Sequence, residues 1–312
     1  MILIPSERSL TVRCPAKINL FLETHGLRPD GYHEIETVMQ AVTLYDDIVL
    51  APRTLRARTL RARTSCARTE PGIEFRCSDP ALPSGRGNLA CLAAERILEK
   101  AALSGGVSLT LEKRIPYGSG LGGGSSDAAG VLAGLNQLLQ LDLPSESLTE
   151  LAAGIGSDVA FFLHGGTALC TGRGENVTPI ATPMVGHYII WHPGVILSTA
   201  EVYKNLPRWG LTTGNRSATV LTSSLVSGDS ERVAAGLFNR LDGVAVAMSS
   251  EVARAKQMLT RVAGRPALVS GSGSAVYVMV DSAEWARAVA DELRTRSVGQ
   301  VFVAQTERPA SS

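Results

Sequence analysis

Aromatic residues are scarce: Phe, Trp and Tyr together make up 5% of 312 residues. An aromatic side chain inside a polar motif therefore stands out. Cysteine is sparse too. The five thiols, Cys14, Cys66, Cys77, Cys91 and Cys170, are odd in number and show no C-x-x-C spacing. That argues against a disulfide framework or a zinc site, and scattered thiols fit a reducing compartment. No apolar run approaches the ~18 residues of a membrane span. The opening MILIPSERSL reaches charge too soon for a signal peptide. A cytoplasmic protein without membrane contact is expected. Charge of one sign is missing as well: 30 basic against 29 acidic residues leave a net +1, so no global field draws the chain toward nucleic acid.

What is present is an ordinary globular balance, 45% hydrophobic and 19% charged, in a length that suits about two domains. Leu10 to Arg13 and Ile18 to Leu22 read as short strands around a Pro15-Ala16-Lys17 corner. Val107, Leu109 and Leu111 alternate with polar residues, the period of a half-buried strand. Asn88 to Ala101 and Ala128 to Leu139 carry apolar stripes at helical spacing. Helices are expected over Ser147–Ala153, Ser230–Leu241, Ser249–Ala263 and Ala283–Thr295. Strands are expected at Asp47–Leu50, Val185–Trp191, Ala267–Ser270, Ala275–Asp281 and Gln300–Ala304. The mixed order favours an α+β class over regular βαβ alternation. Glycines cluster at Gly165–Gly174, which places a boundary between residues 1–165 and 166–312. Arg53 to Thr69 holds a tandem Thr-Leu-Arg-Ala-Arg, at Thr54–Arg58 and Thr59–Arg63. Without interleaved aromatics for base stacking, it reads as a solvated insertion, not a nucleic-acid contact.

The segment Pro116 to Ala128, PYGSGLGGGSSDA, carries the most chemistry. A run of glycines lets backbone N–H groups approach an anion closely. The helix behind it offers unpaired N–H groups and the positive end of its dipole. Ser125 and Ser126 add hydroxyls, and Ser125, Ser126 and Asp127 sit where capping residues belong. The combination suits a polyphosphate. A Walker A loop would end in Gly-Lys-Ser/Thr, and the lysine is absent. Gly118, Gly120 and Gly123 also match a bare dinucleotide fingerprint, with Asp142 at a suitable distance. The strand before them, however, alternates instead of being continuously apolar. An unliganded flexible loop stays open as a third reading, against the cost of ordering so many glycines.

The loop resembles the ATP loop of the GHMP kinases. Pro15-Ala16-Lys17-Ile18-Asn19-Leu20 resembles the family's N-terminal motif, and Ser270-Gly271-Ser272-Gly273-Ser274-Ala275 its C-terminal glycine motif. One branch, the 4-diphosphocytidyl-2-C-methyl-D-erythritol kinases, is similar in further segments: Arg28 to Glu34 (RPDGYHE), Gly156 to Phe162 (GSDVAFF) and His192 to Val195 (HPGV). Ser119 and Ala160 depart from that pattern, where glycine or alanine and proline are usual, and the arginine repeat has no counterpart in it. The resemblance implies a ribosomal protein S5 domain 2-like N-terminal domain and a ferredoxin-like C-terminal domain. It also implies phosphoryl transfer from ATP, with Mg²⁺, to the 2-hydroxyl of 4-diphosphocytidyl-2-C-methyl-D-erythritol.

Site residues follow from the same resemblance. Asp158 becomes the general base, where the residues alone suggest a helix cap. Lys17 sits beside the attacking hydroxyl, and Asn19 binds substrate or holds Lys17. Tyr32 and His33 recognise cytidine, with Tyr203 on the other side of the base. Pro116, Gly118, Gly120, Leu121, Gly122, Gly123, Gly124, Ser125 and Ser126 hold the phosphates. Asn88 and Lys113 stand on the adenine side, and Ser126 is the nearest candidate for a Mg²⁺ ligand. A kinase for another alcohol is the main rival, and Asp30-Gly31-Tyr32-His33 is the discriminating feature. A non-catalytic nucleic-acid binder is the other rival, opposed by the presence of both Lys17 and Asp158.

Overall fold

The computed structural model describes residues 1–57, 72–209, 215–296 and 298–308. Its first sheet grows from one long hairpin. In chain order the first lobe contains β1 (Ile2–Pro5), β2 (Leu10–Leu27), β3 (His33–Ala57), β4 (Gly72–Cys77), α1 (Leu89–Lys100), β5 (Leu103–Glu112), α2 (Gly123–Leu138), α3 (Ser145–Ile155), α4 (Val159–His164), β6 (Thr167–Gly172) and β7 (Asn176–Pro179). The rest comprises β8 (His187–His192), α5 (Thr199–Asn205), α6 (Thr219–Ser227), α7 (Ser230–Gly236), β9 (Phe238–Asn239), α8 (Asp242–Met248), α9 (Ser250–Ala263), β10 (Leu268–Val269), β11 (Val276–Val280), α10 (Ala283–Arg296) and β12 (Gln300–Gln305). None of the described helices is long and apolar enough to cross a membrane.

The first sheet runs β1-β2-β3-β5-β4, with β6 also on β3, β7 on β6 and β9 on β2. The two short strands expected around Pro15 are one strand, β2. A register shift between Pro15 and Ala16 absorbs the proline, which cannot donate to the ladder. Every residue from Cys14 to Thr24 is buried, because both faces of β2 are covered. On one face Val12 and Cys14 pack beneath α2 in a core with Leu50, Leu109 and Leu132. The helix lies very close there: a Cβ on Gly130 would come within 2.4 Å of Cys14 Sγ. On the other face Ile18 and Leu20 join Tyr188, Ile190, Tyr277 and Met279 from the second sheet.

The second sheet is antiparallel, in the order β10-β11-β8-β12. With α9 between β8 and β10, and α10 between β11 and β12, this is the βαββαβ order of a ferredoxin-like domain. A separate core of Ile189, Val252, Leu259, Val278, Ala286 and Leu293 holds the two helices on it. The chain then returns to the first sheet, where Glu307 N donates to Ala41 O at 2.8 Å. The α+β class therefore stands.

Some expectations change. The division at 165/166 falls before β6 and β7, which still pair with the first sheet through β3. The helix expected over Ser230–Leu241 stops at Gly236, because Phe238 and Asn239 pair in parallel with Phe21 and Leu22. The serines after the glycine run do not cap α2. Its cap is Gly122, in the left-handed region at φ 72° with no side-chain hydrogen bond. Arg53 to Ala57 finish β3, while residues 58–71, and with them the reading of the repeat as a solvated insertion, lie outside the described residues.

Candidate active site

A cleft of about 1040 Å³ opens where the two sheets meet. That is at the upper end of the roughly 300–1,000 Å³ typical of small-molecule pockets. Its middle is built by β2. Lys17 and Asn19 point the same way from alternate positions of the strand, and both are almost fully buried. Lys17 Nζ donates to Asn19 Oδ1 at 2.7 Å and lies 3.4 Å from Asp158 Oδ2. Asn19 Nδ2 donates to Thr37 Oγ1 at 2.8 Å, and Thr37 Oγ1 donates to Phe21 O at 2.6 Å. This relay fixes the amide, so its oxygen faces the ammonium.

Asp158 stands at the start of α4, yet its side chain makes no cap hydrogen bond. A carboxylate in that position normally accepts from a first-turn N–H. Here it turns to Lys17 and the cleft instead.

The glycine-rich loop forms one wall. It is pinned by Lys17 N donating to Leu121 O, Ala275 N to Ser119 O (both 2.9 Å) and Ser270 Oγ to Gly120 O (3.1 Å). Ser119, the departure from the family pattern, braces the turn by donating to Pro116 O at 2.7 Å. Because the Gly122 cap has no side chain to accept, the first-turn N–H groups at 123–125 are left without a cap acceptor and without an intrahelical one. Pro116, Gly118, Gly120, Gly122, Gly123, Gly124 and Ser125 line the cleft. Leu121 and Ser126 do not; both are fully buried. Ser126 Oγ has no hydrogen-bond partner.

Asn88 lines the cleft while capping α1, accepting from Ala90 N at 3.0 Å and donating to Pro83 O at 3.1 Å. Lys113 also lines it, with its ammonium held between Asp46 (2.5 Å) and Asp127 (2.8 Å). At the other end, Tyr32, His33 and Tyr203 gather. The His33 and Tyr203 rings are 5.0 Å apart, and Tyr32 is exposed. Burial pulls His33 below its ordinary pKa, which keeps the imidazole neutral near pH 7 and able to accept as well as donate.

The sequence reading missed Asp46 and Arg173, and took Asp127, the partner of Lys113, for a capping residue. Arg173 sits at the β6–β7 turn with its guanidinium 5.0 Å from the Tyr32 ring centre. Asp127 had a signal, since an acid in the first turns of an anion-binding helix needs a counter-ion. Asp46 had none, being 67 residues from Lys113 in the chain.

Gly120→Ala tests the pinned loop. Gly120 has φ +79°, and a Cβ there would meet Ser270 O at 2.2 Å and Gly273 O at 3.0 Å, both backbone atoms. The left-handed penalty alone is about 1–2 kcal/mol. Steady-state kinetics should show KM for the nucleotide raised roughly tenfold; an unchanged KM would show that the loop tolerates displacement there.

The chain matches the GHMP kinases N terminal domain over residues 88–166 and GHMP kinases C terminal over residues 221–298. A 4-diphosphocytidyl-2-C-methyl-D-erythritol kinase of Syntrophomonas wolfei is 38% identical over 290 residues, 93% of this chain and 96% of that protein. A crystal structure of 4-(cytidine 5'-diphospho)-2C-methyl-D-erythritol kinase superposes with a TM-score of 0.76 at 33% identity, covering 96% of this chain and all of that one. A homoserine kinase from Cytophaga hutchinsonii shares the fold, with a TM-score of 0.70 at 18% identity over 98% of this chain and 97% of its own. With both domains matched in order, and relatives aligned over nearly its whole length, the chain belongs to the GHMP kinase family, in the branch of the 4-diphosphocytidyl-2-C-methyl-D-erythritol kinases.

Proposed function

We propose that this enzyme transfers the γ-phosphoryl group of ATP to the 2-hydroxyl of 4-diphosphocytidyl-2-C-methyl-D-erythritol. The observation that carries the reading is the uncapped Asp158 carboxylate beside Lys17, in a cleft lined by both the glycine-rich loop and the aromatic residues Tyr32, His33 and Tyr203. The phosphates of ATP lie along Gly118–Ser125, on the free amides of α2. Asn88 and Lys113 flank the nucleotide. The cytosine lies among Tyr32, His33 and Tyr203, where ring faces stack on it and the imidazole bonds its edge.

The hydroxyl to be phosphorylated then meets Asp158. The carboxylate accepts its proton as the new O–P bond forms and the bond from the γ-phosphorus to the bridging oxygen breaks, ADP leaving with that electron pair. Lys17 orients that carboxylate and steadies the negative charge around the reacting oxygens. Asn19, fixed by Thr37, keeps the ammonium in place. The site lies between lobes, so the cleft walls limit water as a competing acceptor.

We include Mg²⁺ with the nucleotide. The ion would be carried mainly by the nucleotide's phosphates and water. The Ser126 hydroxyl, though partnerless, is fully buried and does not line the cleft, so the ion is assigned no protein ligand. When bound, the ion would supply charge neutralisation to the nucleotide's phosphates.

The domain division at 165/166 puts the ATP loop and Asp158 in the first domain and Tyr203 in the second, with β6 and β7 returning to the first sheet. We place the reaction in the cytoplasm, on the unpaired thiols of Cys14, Cys77, Cys91 and Cys170.

ADP release should require both Mg²⁺ and 4-diphosphocytidyl-2-C-methyl-D-erythritol, with turnover on the order of 1–100 s⁻¹. Homoserine should not serve as acceptor. A folded sample that releases no ADP above background with the cytidine substrate overturns the assignment.

A further inference from the structure

The loop that receives the nucleotide is shaped from below by a residue on a different element. Asp46, on β3, is fully buried and spends its carboxylate on three successive residues. Its Oδ1 accepts from the backbone N–H of Arg114 (2.6 Å) and Ile115 (2.8 Å), and its Oδ2 from Lys113 Nζ (2.5 Å). Those residues are the stem that runs into Pro116. A fourth tether, Lys113 N donating to Ser78 Oγ at 2.8 Å, holds the same stem to the end of β4.

The stem in turn supports the start of α2. A Cβ on Gly123 would come 2.8 Å from Lys113 Nζ and 3.0 Å from Ile115 Cγ2. Gly123 therefore rests directly on the two side chains whose height Asp46 sets. Lys113 also reaches Asp127, on the second turn of α2, at 2.8 Å. The entry and the exit of the phosphate loop are thus joined through one ammonium, and the whole is fastened to the sheet through one carboxylate. The first amides of α2 gain their position from this chain of contacts.

We propose that Asp46 is a positioning residue for ATP: it holds the Lys113–Ile115 stem, and through it Gly123, at the height at which the α2 amides meet the nucleotide's phosphates. Asp46 does not itself line the cleft, so its effect on the nucleotide is indirect. The inference rests on the loop being the ATP site, and it assigns nothing at the cytidine end.

Two substitutions separate positioning from simple charge balance. Asp46→Asn removes the charge and keeps the shape. Asp46→Glu keeps the charge beside Lys113 and lengthens the arm by one methylene. Both should raise the Kd for the non-hydrolysable analogue AMP-PNP, and the KM for ATP, by roughly 10- to 100-fold, the size typical when a group that orients a ligand-binding residue is lost. KM for the cytidine substrate should stay unchanged in both. Thermal melts should show Asp46→Glu recovering stability relative to Asp46→Asn without recovering nucleotide affinity.

A role confined to balancing the Lys113 charge predicts the opposite, with Asp46→Glu restoring both, and that result overturns the proposal. So does a folded variant of either kind that binds AMP-PNP like wild type. If Asp46→Asn does not fold, Asp46→Glu alone decides. Failure of the wild-type protein to bind AMP-PNP would sink the loop reading and this inference with it. Binding by wild type with no loss in the variants would sink the inference alone.

Discussion

Replacing Asp158 with Asn is expected to lower kcat by about 10²- to 10⁴-fold, the usual contribution of a positioned general base, with little change in either KM. The amide keeps the size and planarity of the carboxylate but cannot take the proton of the attacking hydroxyl. The fold should tolerate the change, because the Asp158 side chain makes no cap hydrogen bond to α4. Its close polar neighbour is Lys17, at 3.4 Å with part of the carboxylate still exposed; the asparagine amide oxygen can still face that ammonium, which also keeps Asn19 Oδ1 as an acceptor. A residue that served only as a helix cap would behave in reverse. It would cost about 0.5–2 kcal/mol of stability on substitution and leave kcat near wild type. Measuring kcat, both KM values and the melting curve on the same sample decides between them. Wild-type turnover in Asp158→Asn removes the base from the mechanism.

The relation between Asp158 and Lys17 was legible in the sequence only through resemblance to a family. Composition and spacing say nothing about which of 29 acidic residues meets which of 30 basic ones. The phosphate loop is different. Its glycines, the alternating strand before it and the helical stripe after it are local signals, and the structure places β5, the loop and α2 in that order.

Local signals mislead where tertiary contacts decide. The strand β2 looked broken because proline interrupts a ladder, yet its neighbours on both faces hold it as one strand across a bulge. Ser126 reads as a phosphate hydroxyl because it follows the glycine run directly, beside Ser125. Helical geometry turns successive residues about 100° apart, and Ser126 ends up buried. The short helices α4, α5 and α8 were missed because six or seven residues are too few to display a period. Asp46 could not be found from the sequence, since its importance lies in contacts to residues far along the chain.

Substituting Lys113 with Met should cost about 3–5 kcal/mol of stability at neutral pH, the usual result when one partner of a buried ion pair is removed. The side chains of Asp46 and Asp127 are 0% and 3% exposed, and without the ammonium neither buried carboxyl has a counter-charge, so each stays ionised at a cost or takes up a proton. One carboxylate oxygen, Asp127 Oδ1, already lacks a hydrogen-bond partner in the wild type.

The pH dependence follows from the same cluster. Burial pushes Asp127 up to about 7, the Lys113 charge pulling it down and the Asp46 charge adding to the rise. An acid whose pKa is higher folded than unfolded (~3.9 for Asp) binds its proton more tightly in the native state. Its contribution to stability therefore falls as pH climbs from about 4 to about 7, and the full cost is present above that. Burial alone would pull Lys113 down, but the two carboxylates together push it above its ordinary value. Its own contribution is thus constant below about pH 10 and does not enter this window.

Removing Lys113 takes away the one influence that lowers Asp127, so the carboxyl stays protonated to higher pH and its ionisation costs more. The deficit of Lys113→Met relative to wild type should be larger at pH 8 than at pH 5, where Asp127 is protonated in both proteins and the lost partner of Asp46 is the main cost. Adding Asp127→Asn to it should recover part of the loss at pH 8. Urea unfolding of the three proteins at both pH values tests this directly. A deficit of equal size at pH 5 and pH 8 would mean that Lys113 stabilises by packing its alkyl chain, not by holding two buried carboxylates together.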